Sequence, residues 1–249
     1  MSAILSQRSG NPVLGTQTFK SLGGLASSNT MTLKGTVNKI FLSIILMVGV
    51  GLLTYQSMIE IPELIIATAI GGFVVAIITV FKKQWAPTTV PIYAILEGAF
   101  LGGISAIYSA LYDGIVFQAI FLTLAILVCM LMLYQSGLIK VTNKFRLGVF
   151  AATGGVFIFY FLSFILGFFG INVSVLDPTN ASMMAIGINL VIIVIAALNL
   201  VLDFDFIDQA SKRGLPKYME WYGAFGLLVT LIWLYFEILR LLARLNSRQ

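Results

Sequence analysis

Residues 199–210 read NLVLDFDFIDQA and end a run that is otherwise almost wholly apolar. A carboxylate close to hydrocarbon costs on the order of a few kcal/mol or more, so acids at such a place indicate a functional site. Residues two apart on a helix point to opposite sides, so Asp203 and Asp205 face different surroundings. Asp203 shares its stripe with Ala196 and Asn199, which suit a helix interface. We therefore predict that Asp203 faces inward and that Asp205 lies nearer the water.

The composition predicts an integral membrane protein. Of the 249 residues, 59% are hydrophobic and 10% are charged, and the mean hydropathy is +1.00, which is far from the usage of soluble domains. The chain has no histidine, which excludes zinc-protease motifs and imidazole-dependent catalysis. The carboxylates are then the expected near-neutral titrating groups. The single cysteine, Cys129, cannot form an intrachain disulfide and is expected to be a buried apolar residue.

The fold predicted from the apolar runs is an all-α bundle of seven transmembrane helices. Each run approaches the roughly 20 residues that a spanning helix needs. We expect residues 1–38 to be a flexible cytoplasmic tail, residues 39–245 to be the transmembrane domain and residues 246–249 to be a C-terminal tail. Prolines are expected at helix boundaries. The runs are Ile40–Ile59, Glu63–Phe81, Pro91–Tyr112, Ile115–Tyr134, Leu147–Phe169, Met183–Phe206 and Tyr222–Leu242.

The distribution of basic residues predicts the orientation. Lysines and arginines lie in the N-terminal tail and in the second, fourth and sixth connections, whereas the first, third and fifth contain none. By the positive-inside rule, the N-terminus and the even connections are cytoplasmic, in a cell inner (plasma) membrane. Seven spans then place the C-terminus outside together with Arg240, Arg244 and Arg248, which conflicts with the rule. A last helix that re-enters or stops short would remove this conflict.

Four acids are expected near the cytoplasmic side of the bundle. Glu97 lies six residues after Pro91, or roughly 9 Å into the third span at 1.5 Å per residue. Asp203 and Asp205 lie at the end of the sixth span, and Glu220 lies at the start of the seventh. We predict that Glu97 is functional, and the alternative is a buried acid that holds helices together.

The seventh run carries a continuous small and polar face. Its members repeat at alternating spacings of three and four, and such a stripe is typical of a helix in the middle of a bundle. We expect this helix to contact at least four others through Gly223, Gly226 and Thr230. Glu237 and Arg240 can pair at i, i+3, and an ion pair at the outer helix end is the simpler interpretation. The full face is Gly223, Gly226, Thr230, Trp233, Glu237, Arg240 and Arg244.

Four segments together resemble the bacterial branch of the Bax inhibitor family, within the transmembrane Bax-inhibitor-motif superfamily. They are MTLKGTVNKIFLSI at 31–44, APTTVPIYAILEGAFLGGIS at 86–105, NLVLDFDFIDQA at 199–210 and PKYMEWYGAFGLLVTLIWLYFEILRLL at 216–242. The resemblance implies seven helices with the last one surrounded by the other six. It also implies a pH-sensitive calcium leak, in which an aspartate of the sixth helix shares a proton with one of the seventh and holds the pore shut.

This chain matches only half of that aspartate pair. Asp203 corresponds best to the sixth-helix position and Asp205 is the second candidate, but Thr230 stands where the seventh helix is expected to have aspartate. Glu97 and Glu220 are the alternative partners for Asp203. The predicted pH-sensor or gate residues are thus Asp203, Asp205, Glu97, Glu220, Thr230 and Asn199.

Two functions from different classes follow. The first is a calcium channel or transport protein that is gated by these carboxylates, with calcium as permeant ion and transient contacts at Asp203 and Asp205, since calcium prefers oxygen ligands. The second, also implied by the resemblance, is a non-transporting protein that binds and modulates another membrane protein, such as a membrane-bound protease. We expect no enzyme activity, no cofactor and no nucleic-acid partner, because the chain has no GxGD motif and no histidine. The lipid bilayer is the expected surrounding in both cases.

Overall fold

The computed structural model describes residues 30–177 and 179–248. These residues form seven α-helices, with short 3-10 turns at Lys83–Trp85 and Ser174–Leu176. All seven are long and apolar enough to cross a membrane, so the predicted all-α class and number of spans are confirmed. The helices are α1 (Leu33–Glu60), α2 (Glu63–Phe81), α3 (Ala86–Leu111), α4 (Ile115–Gln135), α5 (Asn143–Phe168), α6 (Met183–Lys212) and α7 (Met219–Asn246).

The first helix begins inside the segment predicted to be a tail. Thr32 is its N-cap, and the Thr32 side chain accepts a hydrogen bond from the Gly35 backbone N–H. This bond satisfies one of the amide groups that a helix start otherwise leaves unpaired. Residues 33–38 are therefore helical, whereas residues 1–29 of the predicted tail lie outside the described part of the chain.

The third helix also begins earlier than predicted. It starts at Ala86 and continues through Pro91, although proline was expected at the boundary. Pro91 is the sixth residue of the helix, so it removes the amide donor that would otherwise bond the carbonyl oxygen of Pro87. Glu97 is consequently eleven residues from the helix start, or about 16 Å along the axis, instead of the six residues expected.

The described residues divide into two compact units. One unit contains residues 114–204 and 230–248, and the other contains residues 30–113 and 205–229. Both α6 and α7 therefore contribute one part to each unit.

Cys129, expected to be buried, is exposed on α4, which suits a small apolar side chain on a helix of a membrane bundle.

In the second unit, α1 and α3 pack through glycines. A Cβ atom on Gly98 would collide with the backbone carbonyl of Met47, and one on Gly102 would lie 2.5 Å from the Gly51 carbonyl oxygen. Backbones that approach so closely require residues without side chains, as in other membrane-helix pairs with small residues four apart. The stripe beside Glu97 is therefore a helix-packing surface.

Gly98→Ala should destabilise the protein by roughly 1–3 kcal/mol, because the added methyl group meets backbone that cannot turn away. Gly154→Ala on α5 is the matched control, since a Cβ at that position meets no atom within 4 Å. The control should be neutral or slightly stabilising, because alanine is the better helix former. Thermal unfolding of both variants in one detergent makes the comparison. Equal transition temperatures would refute the close packing of α1 on α3.

The last helix is the most buried of the seven. Within its most apolar window, 67% of residues are buried, against 56% for the next highest, that of the third span. In the first unit α7 contacts α5 through Tyr160 and α6 through Asn189. In the second unit, its Phe225 ring packs edge-on against Tyr93 of α3 at 5.0 Å, and Gly223 lies beside Thr36 of α1. The last helix thus contacts four others as expected, but the contacts with α3 and α5 run through Phe225 and Glu237 and not through the predicted Gly223, Gly226 and Thr230.

Candidate functional site

Asp203 and Thr230 form a buried pair between α6 and α7 in the first unit. The Thr230 hydroxyl donates a hydrogen bond to Asp203 Oδ2 at 2.6 Å. Asp203 is 0% exposed and Thr230 is 3% exposed. Asp203 therefore faces inward, as predicted. Thr230, which stands where the Bax inhibitor family is expected to have its second aspartate, is thus the direct partner of Asp203.

The threonine determines what this pair can do. A hydroxyl can donate to an ionised carboxylate or accept from a neutral carboxylic acid, so the contact with Asp203 can exist in either protonation state. Thr230 itself carries no charge in either state. Any change of charge within the pair therefore takes place on Asp203.

Asn199 extends the polar stripe one turn before Asp203. It is 1% exposed, and its Nδ2 donates to Thr153 Oγ1 of α5 at 2.7 Å and to the Ile195 carbonyl oxygen at 2.9 Å. Its Oδ1 is buried and has no hydrogen-bond partner among the described residues. Asn199 thus connects α5 to the same face of α6 that carries Asp203.

Asp205 lies in the second unit and is half-buried. Both of its carboxylate oxygens accept from Gln209 Nε2, at 2.9 and 3.1 Å. One turn further on, Asp208 forms an ion pair with Lys212 at 2.7 Å, and this lysine side chain is 72% exposed. The side of α6 opposite Asp203 is therefore the more accessible one, in agreement with the prediction for Asp205.

Glu220 binds the start of α1. Its Oε1 accepts from the backbone N–H and the hydroxyl of Thr32 at 3.0 and 2.9 Å, and from Lys217 Nζ at 2.7 Å. A Cβ atom on Gly35 would collide with this carboxylate. An acid at a helix N-terminus interacts favourably with the unpaired amides there. The contacts of Glu220 thus tie the start of α7 to the start of α1.

Glu97 has a different environment in the same unit. It is 9% exposed and lies against α2, where a Cβ on Gly72 would be 2.6 Å from its Oε1. Gly72 therefore leaves the room that this carboxyl occupies. The contacts of Glu97 with Gly72, of Glu220 with Thr32 and Lys217 and of Asp205 with Gln209 do not join these three predicted site acids.

A second polar network lies further along α7 in the first unit. Glu237 is 2% exposed and accepts from the Tyr160 hydroxyl at 2.7 Å and from Asn189 Nδ2 at 2.9 Å. Arg240 forms the predicted ion pair with Glu237 at 3.3 Å and donates to the Tyr160 oxygen at 2.7 Å. Glu237 is thus buried in a network of three helices, whereas the side chain of its partner Arg240 is 25% exposed.

Arg244 joins the end of α7 to the connection between α5 and α6. It is 1% exposed and donates to the carbonyl oxygens of Ala185 and Val175 at 2.5 Å. Hydrogen bonds from Thr179 lower the pKa of Asp177 in this connection, so this carboxylate keeps its charge into acidic conditions. Arg240 and Arg244 therefore have structural partners at this end of α7. The positive-inside rule counts basic residues of the flanking loops. Two arginines that are bonded within the protein therefore count little against a C-terminus on the outer side.

The sequence interpretation missed Tyr160, Asn189 and Thr153. Asn189 precedes Asp203 by fourteen residues, which is close to four helical turns. The two side chains therefore lie on the same face of α6, and this spacing could have identified Asn189 from the sequence. Tyr160 and Thr153 lie in an apolar run of α5 with no distinctive spacing.

Among the described residues, no group of three or more acids or cysteines could hold a metal ion.

One family model matches almost the entire chain. It is described as Bax inhibitor 1 like and covers residues 11–247. No curated protein and no solved structure matches the chain. The four segments that carried the resemblance lie within the matched region, and the Asp203–Thr230 contact joins two of them. The chain belongs to the Bax inhibitor 1 like family of membrane proteins.

Proposed function

We propose that this protein is a pH-sensitive calcium leak channel or transport protein of the cell inner membrane, gated by Asp203. The buried contact between Asp203 of α6 and Thr230 of α7 is the observation that supports it most directly. In the proposed closed state, Asp203, which is 0% exposed, is a neutral acid packed against Thr230. A conformation that admits water stabilises the ionised form.

Gating in this proposal follows from the charge on Asp203. At acidic pH the neutral acid stays packed against Thr230 and the path is closed. At higher pH the carboxylate favours a hydrated arrangement of α6 and α7, and the same negative charge attracts a cation. Calcium is the proposed permeant ion because it binds carboxylate, carbonyl and water oxygens with flexible geometry. We propose calcium as a passing ion, with transient contacts at Asp203 and Asp205 and no resident cofactor.

The surroundings of Asp203 also favour transport over catalysis. Intramembrane aspartyl chemistry needs a second aspartate close to the first, and the position opposite Asp203 is occupied by Thr230. The proposed location rests on the lysines and arginines of the even connections, which favour a cytoplasmic N-terminus. The acids of the odd connections, such as Asp177, then lie at the outer side, where they can concentrate cations.

Calcium flux into proteoliposomes tests the proposal. The purified protein should admit calcium faster at mildly alkaline pH than at acidic pH, because Asp203 loses its proton as pH rises. Protein-free liposomes at the same two pH values are the control. A flux equal to this control at both pH values would reject transport and favour an interaction role.

An apolar groove supports that second candidate, a protein that binds and modulates another membrane protein such as a membrane-bound protease. The groove has a volume of about 540 Å³ and runs along α5 and α6. Gly155 and Gly187 lie in its wall, and a Cβ on either would meet no atom within 4 Å. Small residues on a lipid-facing surface suit close approach by a transmembrane helix of a partner.

A further inference from the structure

Glu97 lies at the middle of the α2–α3 interface in the second unit. A Cβ atom on Gly72 would be 2.6 Å from Glu97 Oε1, and one on Gly71 would be 3.4 Å from the Leu96 side chain. Gly72 is the tenth of the 19 residues of α2, so about 14 Å of helix separates it from either end of this span. The Glu97 carboxyl is therefore at the level where a charge among apolar helices is most costly.

Close contacts of α2 with α3 lie on both sides of Glu97. Towards one end, the Thr79 hydroxyl donates to Thr89 Oγ1 at 2.7 Å, and both residues are buried. Towards the other end, a Cβ atom on Gly103 would be 2.6 Å from the Ile65 side chain. Glu97 itself is 9% exposed. Its carboxyl thus occupies a gap that a glycine leaves between two contacts of the same helices.

The surroundings of Glu97 supply no partner for a negative charge. Within residues 30–177 and 179–248, no group donates a hydrogen bond to this carboxyl and no ion pair includes it. Tyr93, one turn earlier on α3, interacts with it electrostatically, and α3 has no other charged residue. On α2 the one charged residue is Glu63, at the first position. The α1 residues beside Gly98 and Gly102 of α3 are the uncharged Met47 and Gly51. The other titratable side chains of α1 and of the α7 segment in this unit are Lys34, Lys39, Tyr55, Glu60, Glu220 and Tyr222.

The number of available oxygen ligands distinguishes between the cations that this carboxyl can bind. A calcium ion takes about six to eight oxygen ligands, and among the described residues no group of three or more acids or cysteines could hold a metal ion. A proton needs a single oxygen, and it converts the carboxyl into a neutral group with one donor. The gap at Gly72 therefore suits a proton and not a metal ion.

We propose that Glu97 is a proton-binding site in the interior of the membrane, separate from the Asp203–Thr230 pair of the first unit. In the state that the structure describes, Glu97 is a neutral acid in the gap left by Gly72. When the proton leaves, the charge requires water or a cation between α2 and α3, so these helices must separate there. Release of the proton is thus coupled to opening of this interface. The inference does not depend on whether the protein conducts calcium.

Dicyclohexylcarbodiimide, an apolar reagent, tests the proposal on the full chain in neutral detergent. A carboxyl oxygen adds to the central carbon of the reagent while the carboxyl proton passes to one of its nitrogens, so the adduct keeps all atoms of both molecules. Peptide mass spectrometry should find the adduct on Glu97. Its rate of formation should fall about tenfold per pH unit at alkaline pH, because only the acid form reacts. Calcium at constant pH should leave the rate unchanged, and calcium that slows the reaction as alkaline pH does would overturn the proposal.

Infrared spectra detect the same proton without a reagent that has to reach the site. The spectrum of the unaltered protein minus that of Glu97→Gln should contain the carbonyl band of a neutral carboxylic acid at neutral pH, and this band should vanish at alkaline pH. Glu63→Gln is the matched control, since it removes the exposed glutamate at the start of α2, and it should leave the Glu97 adduct unchanged. Asp203→Asn should also leave it unchanged, so this proposal and the gating proposal fail separately. Absence of the acid band at every pH, or an adduct on Glu97 that forms at the same rate at every pH, would overturn the proposal.

Discussion

Asp203→Asn should remove most of the pH dependence of calcium flux while leaving the protein folded. Asparagine has nearly the shape of aspartate, and its carbonyl oxygen can accept the hydrogen bond that Thr230 donates at 2.6 Å. The variant cannot gain or lose a proton at this position, so the α6–α7 contact has the same charge at every pH. Flux through the variant should be low at acidic and at alkaline pH, as in the neutral form of the unaltered protein.

The matched control for this variant is Asn199→Leu. Asn199 is equally buried on the same helix, and its side chain bonds Thr153. Leucine removes this bond to the half-buried Thr153 hydroxyl, which costs about 1 kcal/mol. Asn199→Leu should thus lower the unfolding temperature but keep the ratio of flux at the two pH values. The gating proposal is wrong if Asp203→Asn keeps the wild-type pH profile, and a similar loss in both variants points to a structural stripe instead.

The lengths of the apolar runs were sufficient to predict most of the fold. A bilayer imposes one dominant requirement, about 20 apolar residues per helix, and the seven runs meet it without needing tertiary information. The boundaries were less predictable because they depend on local chemistry. The cap at Thr32 extends α1 to Leu33, and α3 runs through Pro91, although proline usually ends a helix.

Helical periodicity predicted the direction of side chains better than their partners. It placed Asp203 on the small and polar stripe, and Asp203 is buried there. The partners of Glu237 could not be read in the same way, since Tyr160 lies 77 residues away in the chain. Such contacts depend on which helices pack against each other. Short connections predict only that consecutive helices are adjacent, and they do not predict packing between helices that are distant in the sequence.

The contacts of Arg240 and Arg244 at the end of α7 bear on the conflict between these arginines and the predicted orientation. Arg240 bonds Glu237, and Arg244 bonds backbone carbonyl oxygens of α6 and of the α5–α6 connection. A guanidinium with five donors can satisfy several acceptors at once, so it suits a helix end that must close a loop. These two arginines therefore carry little information about the side of the membrane.

Thr230→Asp should steepen the pH dependence of flux, by about tenfold or more in the ratio between alkaline and acidic pH. The substitution places a second carboxyl within hydrogen-bond distance of Asp203. With one shared proton the two acids bind each other more strongly than aspartate binds threonine. Without it, two unit charges at about 4 Å repel by about 4 kcal/mol at an effective dielectric of 20. Such a difference is enough to move a two-state equilibrium from mostly closed to mostly open.

The sign of the change distinguishes this mechanism from simple damage to the α6–α7 contact. Thr230→Asp should lower flux below that of the unaltered protein at acidic pH and raise it above at alkaline pH, so the two profiles must cross. Thr230→Asn is the matched control, because it has the size of aspartate but no charge, and its profile should keep the slope of the unaltered protein. Flux raised equally at both pH values in the aspartate variant would indicate a loosened interface. In that case the Asp203–Thr230 pair holds the helices together without sensing pH.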